Sequence, residues 1–144
     1  MPFASGQRIT PARLNALQPK TYYAIGSGTV PASTSNGDVP SASVTFTTTF
    51  PGAVYVAHAV WDCQLTGATT ALLTARIKVD GTFQPPLAVW SGQVATDRGS
   101  IGQNYRGTLA AAGSHTIGLV ASTAANQVVQ GVNSSVLVTI YEVV

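Results

Sequence analysis

The sequence predicts an all-β protein, an antiparallel β-sandwich or jelly roll of about eight strands with a short N-terminal helix or attachment segment. Three observations carry this. From about residue 21 onward the chain is built of Val, Thr, Ala, Ser and Gly. Apolar side chains there recur with a period of two, the strand period, and no stretch after residue 20 has the helix period. Turn signals return roughly every 8–12 residues, as in sandwiches and jelly rolls.

The elements follow in order. Thr10 can cap the free amides of a helix, and Pro11 suits its first position, where no amide proton is needed. Pro19 ends it by pushing Gln18 out of helical geometry. About two turns result, too short to be stable alone. Tyr22, Tyr23 and Ile25 fit a short first strand. Gly26 to Asp38 reads as loop, with Asn36-Gly37 as a tight turn. Val44 to Phe50 alternates cleanly with threonines, and Pro51-Gly52 breaks it. Ala53 to Leu65 is a long strand, and Leu73 to Val79 is another, closed by Asp80-Gly81. Phe83 to Trp90 contains Pro85-Pro86 and reads as an edge or irregular segment. Residues 93–109 suggest two short strands. His115 to Ala121, Val128-Val129 and Val136 to Val143 complete the series. The organisation is thus an attachment segment over residues 1–21, a linker and first strand over 22–39, and a head over 40–144.

Length gives one domain, since 144 residues can bury a single substantial core. Charge is the unusual property. Only 8% of residues are charged, against about a quarter in ordinary proteins. The basic residues are scattered, which argues against nucleic acid. Cys63 stands alone in an apolar run and reads as a buried thiol. The N-terminus lacks the basic start and apolar core of a signal peptide, so synthesis in the host cytoplasm is expected. No apolar run approaches the ~20 residues of a membrane helix, so no membrane insertion is expected.

Acid–base chemistry has few candidates. His58 and Asp62 lie four apart on one strand, ~13 Å along it, too far to share a metal without a bend. His58, His115, Asp62 and Asp97 therefore read as separate structural or interface residues. Asp38 and Asp80 are explained by turns. No Gly-x-Ser-x-Gly elbow is present. The expectation is no catalytic residue, no metal, no cofactor and no enzymatic activity.

The strands say more. Ala53 to Leu65 and Ser135 to Val144 are apolar on both faces, whereas a sheet with one wet face alternates. One face must fill the core, and the other needs a cover. A neighbouring copy is the favoured cover, with a homotrimer guessed, and Tyr55, Trp61, Leu137, Tyr141 and Val143 are the candidate oligomer interface. Leu14 and Leu17 share one helix face, with Phe3 and Ile9 nearby in sequence; these four are the candidate attachment residues. Trp90, Gln93, Asn104 and Tyr105 are a candidate ligand rim.

Residues 3–17, FASGQRITPARLNAL, resemble the opening of small structural proteins of tailed bacteriophages, especially those of actinobacteria. Residues 109–119, LAAAGSHTIGL, and the closing VTIYEV of 138–143 are similar to the last strands of phage fibre and tail heads. This chain has Pro11 where Ala is common. The resemblance implies a virion protein: a minor tail, fibre or baseplate component, or a capsid decoration protein. It further implies attachment through the N-terminus and contact with other virion proteins. The alternative function is a receptor-binding module for a host-surface glycan.

Overall fold

A computed structural model describes residues 10–143. Within them the chain is a sandwich of two antiparallel sheets, preceded by one short helix, α1 (Pro11–Leu17). Thr10 caps that helix as its sequence requires, its hydroxyl accepting from the Arg13 amide at 3.3 Å.

The first sheet contains β1 (Lys20–Ile25), β2 (Thr29–Val30), β4 (Ala53–Leu65), β8 (Arg98–Leu109), β10 (Gln127–Gln130) and β11 (Ser135–Tyr141). The long β4 is its spine. Along one side β4 pairs with β8 over its length; along the other it pairs first with β11 and then with β10. Outside these, β1 pairs β11 and β2 pairs β10. The second sheet contains β3 (Gly37–Thr48), β5 (Leu73–Val79), β6 (Thr82–Phe83), β7 (Ala88–Trp90) and β9 (Gly113–Ser122). Asp80 and Gly81 both have positive φ and form the tight β5–β6 turn.

The described residues form eleven strands rather than about eight. Most of the difference is short pieces such as β2, β6 and β7, whose two or three residues carry too little periodicity to read. Of the two short strands expected within 93–109, the one around Val94 is a loop and the other extends to a strand of twelve residues, β8. Its glycines serve close packing: Gly107 lies under the Tyr55 ring, and a Cβ there would collide with it.

The core lies between the sheets. From β4 it takes Ala53, Tyr55, Ala57, Ala59, Trp61 and Cys63, and from β11 Val136, Val138 and Ile140. Opposite them stand Phe46, Ile77, Ile117 and Leu119. The inner face of β4 is therefore its odd-numbered residues.

Candidate assembly interface

The two sheets differ on their outer sides. On the second sheet, β3 presents Ser43, Thr45 and Thr47, β9 presents Thr116, and β5 presents Thr74, Arg76 and Lys78. Thr45 and Thr116 pair through their hydroxyls at 3.0 Å, and Lys78 pairs with Asp38. Phe83 and Val89, on its β6 and β7 edge, are 38% and 50% exposed, but the centre of this face is at home in water.

The outer side of the first sheet is not. Residues in register across β1, β11, β4 and β8 form rows: Ile25, Ser135, Val60, Gly102; then Tyr23, Leu137, His58, Asn104; then Thr21, Thr139, Val56, Arg106. Tyr141, Val54 and Thr108 make a fourth row. Tyr23 is 58% exposed, Ile25 50% and Tyr141 43%, and no other described element lies over them as it would over a core face. Full burial of such side chains is worth ~1.5–3 kcal/mol each. Polar groups are interspersed among them, Ser135, Thr21, Thr139, Thr108, His58, Asn104 and Arg106 sharing these rows. Thr21 and Thr139 pair at 3.3 Å, and His58 Nδ1 sits 2.7 Å from Asn104 Oδ1. Among the described residues, a shallow hollow of about 360 Å³ opens between Tyr141 and Arg106, floored by Val54 and Val56.

Beyond Val60 the same face turns polar. Thr29, Gln130 and Gln64 form a hydrogen-bonded chain across β2, β10 and β4. Asp62 takes the Arg98 guanidinium and the Asn133 amide. The hydrogen bond from Arg98 lowers the Asp62 pKa, against an upward push from burial, and Asn133 adds to the lowering.

Leu137 and Tyr141 thus lie on the outer side, and Val143, just past the end of β11, is 41% exposed. Tyr55 and Trp61 do not lie there: they are 3% and 0% exposed, inside the chain's own core. Both faces of β4 are apolar, so only the position of the second sheet decides which is buried. Tyr55 and Trp61, with alanines between them, fill the space between the sheets, and the valines face out. Tyr23, Ile25, Val54 and Val56 belong to the outer face and escaped sequence reasoning. For the valines the signal was the apolar second face of β4 itself. For Tyr23 and Ile25 it appears only once β1 is paired to β11.

The attachment candidates divide. Leu14 and Leu17 are 52% and 37% exposed. Arg13 and Ala16 are half-buried on the adjoining face of α1. There a hollow of about 330 Å³ separates the helix from Lys20, Thr49 and Phe50. Phe3 and Ile9 lie outside the described residues.

The ligand rim does not assemble. Tyr105 is a core residue, 3% exposed, and burial pushes its hydroxyl up to about 12. Trp90 packs beside Gly99, and Gln93 lies in the loop that Asp97 ties together through the Val94 and Gln93 amides. Asn104 is mid-strand on the outer sheet face, five residues or ~16 Å along β8 from Gly99.

The titratable groups are tied to separate partners. His115 lies 2.6 Å from Asp80 and 3.1 Å from the Ala111 carbonyl. Glu142 accepts from Lys20 and from the Thr49 and Phe50 amides. Cys63 is buried, and desolvation, reinforced by the charge of Asp62, pushes its thiol up to about 12. Among the described residues no three His, Cys, Asp or Glu side chains converge on a metal-sized site. None of the described helices is long and apolar enough to cross a membrane.

No protein-family model matches the chain. No curated protein matches it either. Among solved structures it is similar to a chain of the infectious bursal disease virus Gt strain, at 12% identity and a TM-score of 0.45, over 88% of this chain and 38% of that one. The Gx strain of that virus gives 14% identity and a TM-score of 0.34, over 88% and 37% of the two chains. A cycloisomaltooligosaccharide glucanotransferase from Paenibacillus sp., complexed with cycloisomaltoheptaose, gives 18% and 0.32, over 85% and 18%. This chain spans less than two-fifths of the length of each of these.

Proposed function

We propose that this chain is a non-enzymatic structural subunit of a virion, a minor tail, fibre or baseplate component or a capsid decoration protein. It is held to the particle through its N-terminal segment and associates with copies of itself through its β head. The observation that carries the reading is the pair of leucines on α1. A seven-residue helix cannot hold itself together in water, yet this one leaves its two largest apolar side chains 52% and 37% exposed. Such a helix is stabilised when those leucines dock on another protein. The phage-like N-terminal residues support the virion as the setting. The separate pairing of the acidic and histidine side chains supports a role without catalysis. Three copies is the number expected from the sequence, and light scattering on the purified chain reads it.

Two experiments test the reading. Purified particles of the virus that encodes this sequence, probed with an antibody to the head, carry the chain on their surface in negative-stain images. Particles that lack the chain altogether overturn the proposal. The variant carrying both Leu14→Asp and Leu17→Asp keeps the wild-type Tm but is incorporated at least tenfold less. Equal incorporation removes the attachment role from this helix.

A further inference from the structure

The apolar outer face of the first sheet has a definite extent. Its apolar half runs along β4 from Ala53 to Val60, four strands wide. With ~3.3 Å per residue and ~4.8 Å between strands, that half covers roughly 500 Å². The polar half, along Asp62 to Leu65 and its neighbours in β8, β10 and β2, brings the whole face to about 800 Å². One partner in an ordinary stable complex contributes about that area. Apolar side chains over one half and amide and hydroxyl groups over the other combine the two kinds of surface that a protein interface buries.

We propose that two copies of this chain pair through this face, sheet against sheet, about a two-fold axis. The inference rests on the assembly reading above and names its contact. A second copy fits for three reasons. Its area matches, because it is the same face. Its chemistry matches: the apolar half carries no carboxylate, so an apolar surface and not a basic one is its complement. Its cations do not collide: Arg106 stands beside Val56 on the edge strand β8, and a two-fold that sets the partner's hollow over Tyr23 keeps the two guanidiniums apart.

Shape gives the register. Tyr23 projects from β1, and the hollow between Tyr141 and Arg106 lies across β11 from it. An in-plane two-fold axis midway between them seats each copy's Tyr23 in the other's hollow, and the contact closes on itself. One copy covers such a face whole, whereas three faces turned toward a common axis leave part of each uncovered. The pair therefore replaces the trimer as the unit of association.

Light scattering coupled to gel filtration tests this on the full chain. Wild type is expected at twice the chain mass. Val56→Asp combined with Leu137→Asp is expected at the chain mass, with an unchanged far-ultraviolet spectrum showing that the sandwich is intact. Thr45→Asp, on the other sheet, is expected to stay paired. Tyr23→Cys with Val54→Cys checks the register. These two positions sit two strands and several residues apart within one chain, beyond the reach of a disulfide, so oxidation should yield a cross-linked pair. A wild-type monomer, a wild-type trimer, or a pair that survives the two aspartates overturns the proposal. The Leu14→Asp/Leu17→Asp chain separates the two readings. It should remain paired while losing the particle, so failure of attachment and failure of pairing are read independently.

Discussion

Glu142 shows how one side chain can join three parts of a nearly uncharged protein. Its carboxylate is buried and accepts from Lys20 at the start of β1 and from the Thr49 and Phe50 amides after β3. Removing it in Glu142→Ala leaves those amides without their acceptor. The expected loss is about 1–3 kcal/mol, read by urea unfolding. The same residue belongs to a set that sets the acid limit. Burial raises the Glu142 pKa, but the Thr49 amide and Lys20 outweigh it, so the net shift is downward. Asp62 is lowered first by Arg98. At Asp80 burial pushes upward, and the hydrogen bonds from His115 and Thr116 overcome it. For all three the folded pKa lies below the unfolded one. Their stabilisation is complete above the ordinary carboxylate range near pH 4 and drains away as pH falls through the folded values. The urea midpoint should therefore drop between about pH 5 and pH 2, and drop less in Asp62→Asn. An unchanged acid slope in that variant would remove Asp62 from the set.

Among the elements, the crossing of the β1–β2 loop with the 3-10 turn Gly131–Asn133 is the tightest backbone approach. The Gly131 amide donates to the Gly28 carbonyl at 2.6 Å, and a Cβ on Gly131 would overlap that same carbonyl oxygen. Gly131→Ala is expected to cost about 3 kcal/mol or more, because backbone and not a flexible side chain must move. Gly52 makes the contrast. It has φ +85 but open space around its Cβ position, so Gly52→Ala should cost only ~1 kcal/mol from conformation. Thermal melts of the two variants compare them directly. Element limits were legible where periodicity was long: α1, β4 and β5 stand where Thr10-Pro11, the Ala53–Leu65 run and the Leu73–Val79 alternation put them. They were not legible in β8, whose glycines accommodate Tyr55 and Trp90 on neighbouring strands and leave few side chains to mark the period.

For the whole molecule, the difference between its two outer faces is the governing property. A second sheet centred on threonines and charged groups, and a first sheet centred on valines and Leu137, give the molecule a wetter side and a side that favours a cover. Anything that covers the folded face and not the unfolded chain raises apparent stability with concentration. Raising protein concentration about a hundredfold should thus raise Tm by several degrees, and should leave Tm of the Val56→Asp/Leu137→Asp chain where it was.

By itself the sequence determined that the protein is a β-sandwich with a capped helix before it, and that β4 and β11 carry apolar residues on both faces. These are local properties, written in period and turn chemistry. Which of those faces is core was decided only by the tertiary structure. A strand's two faces become inequivalent when a second sheet packs on one of them, and that packing put Tyr55, Trp61 and Tyr105 inside. Strand pairing likewise brought Tyr23 and Ile25, distant in sequence, beside Leu137, His58 and Val60, because a surface patch is a product of register and not of any one segment.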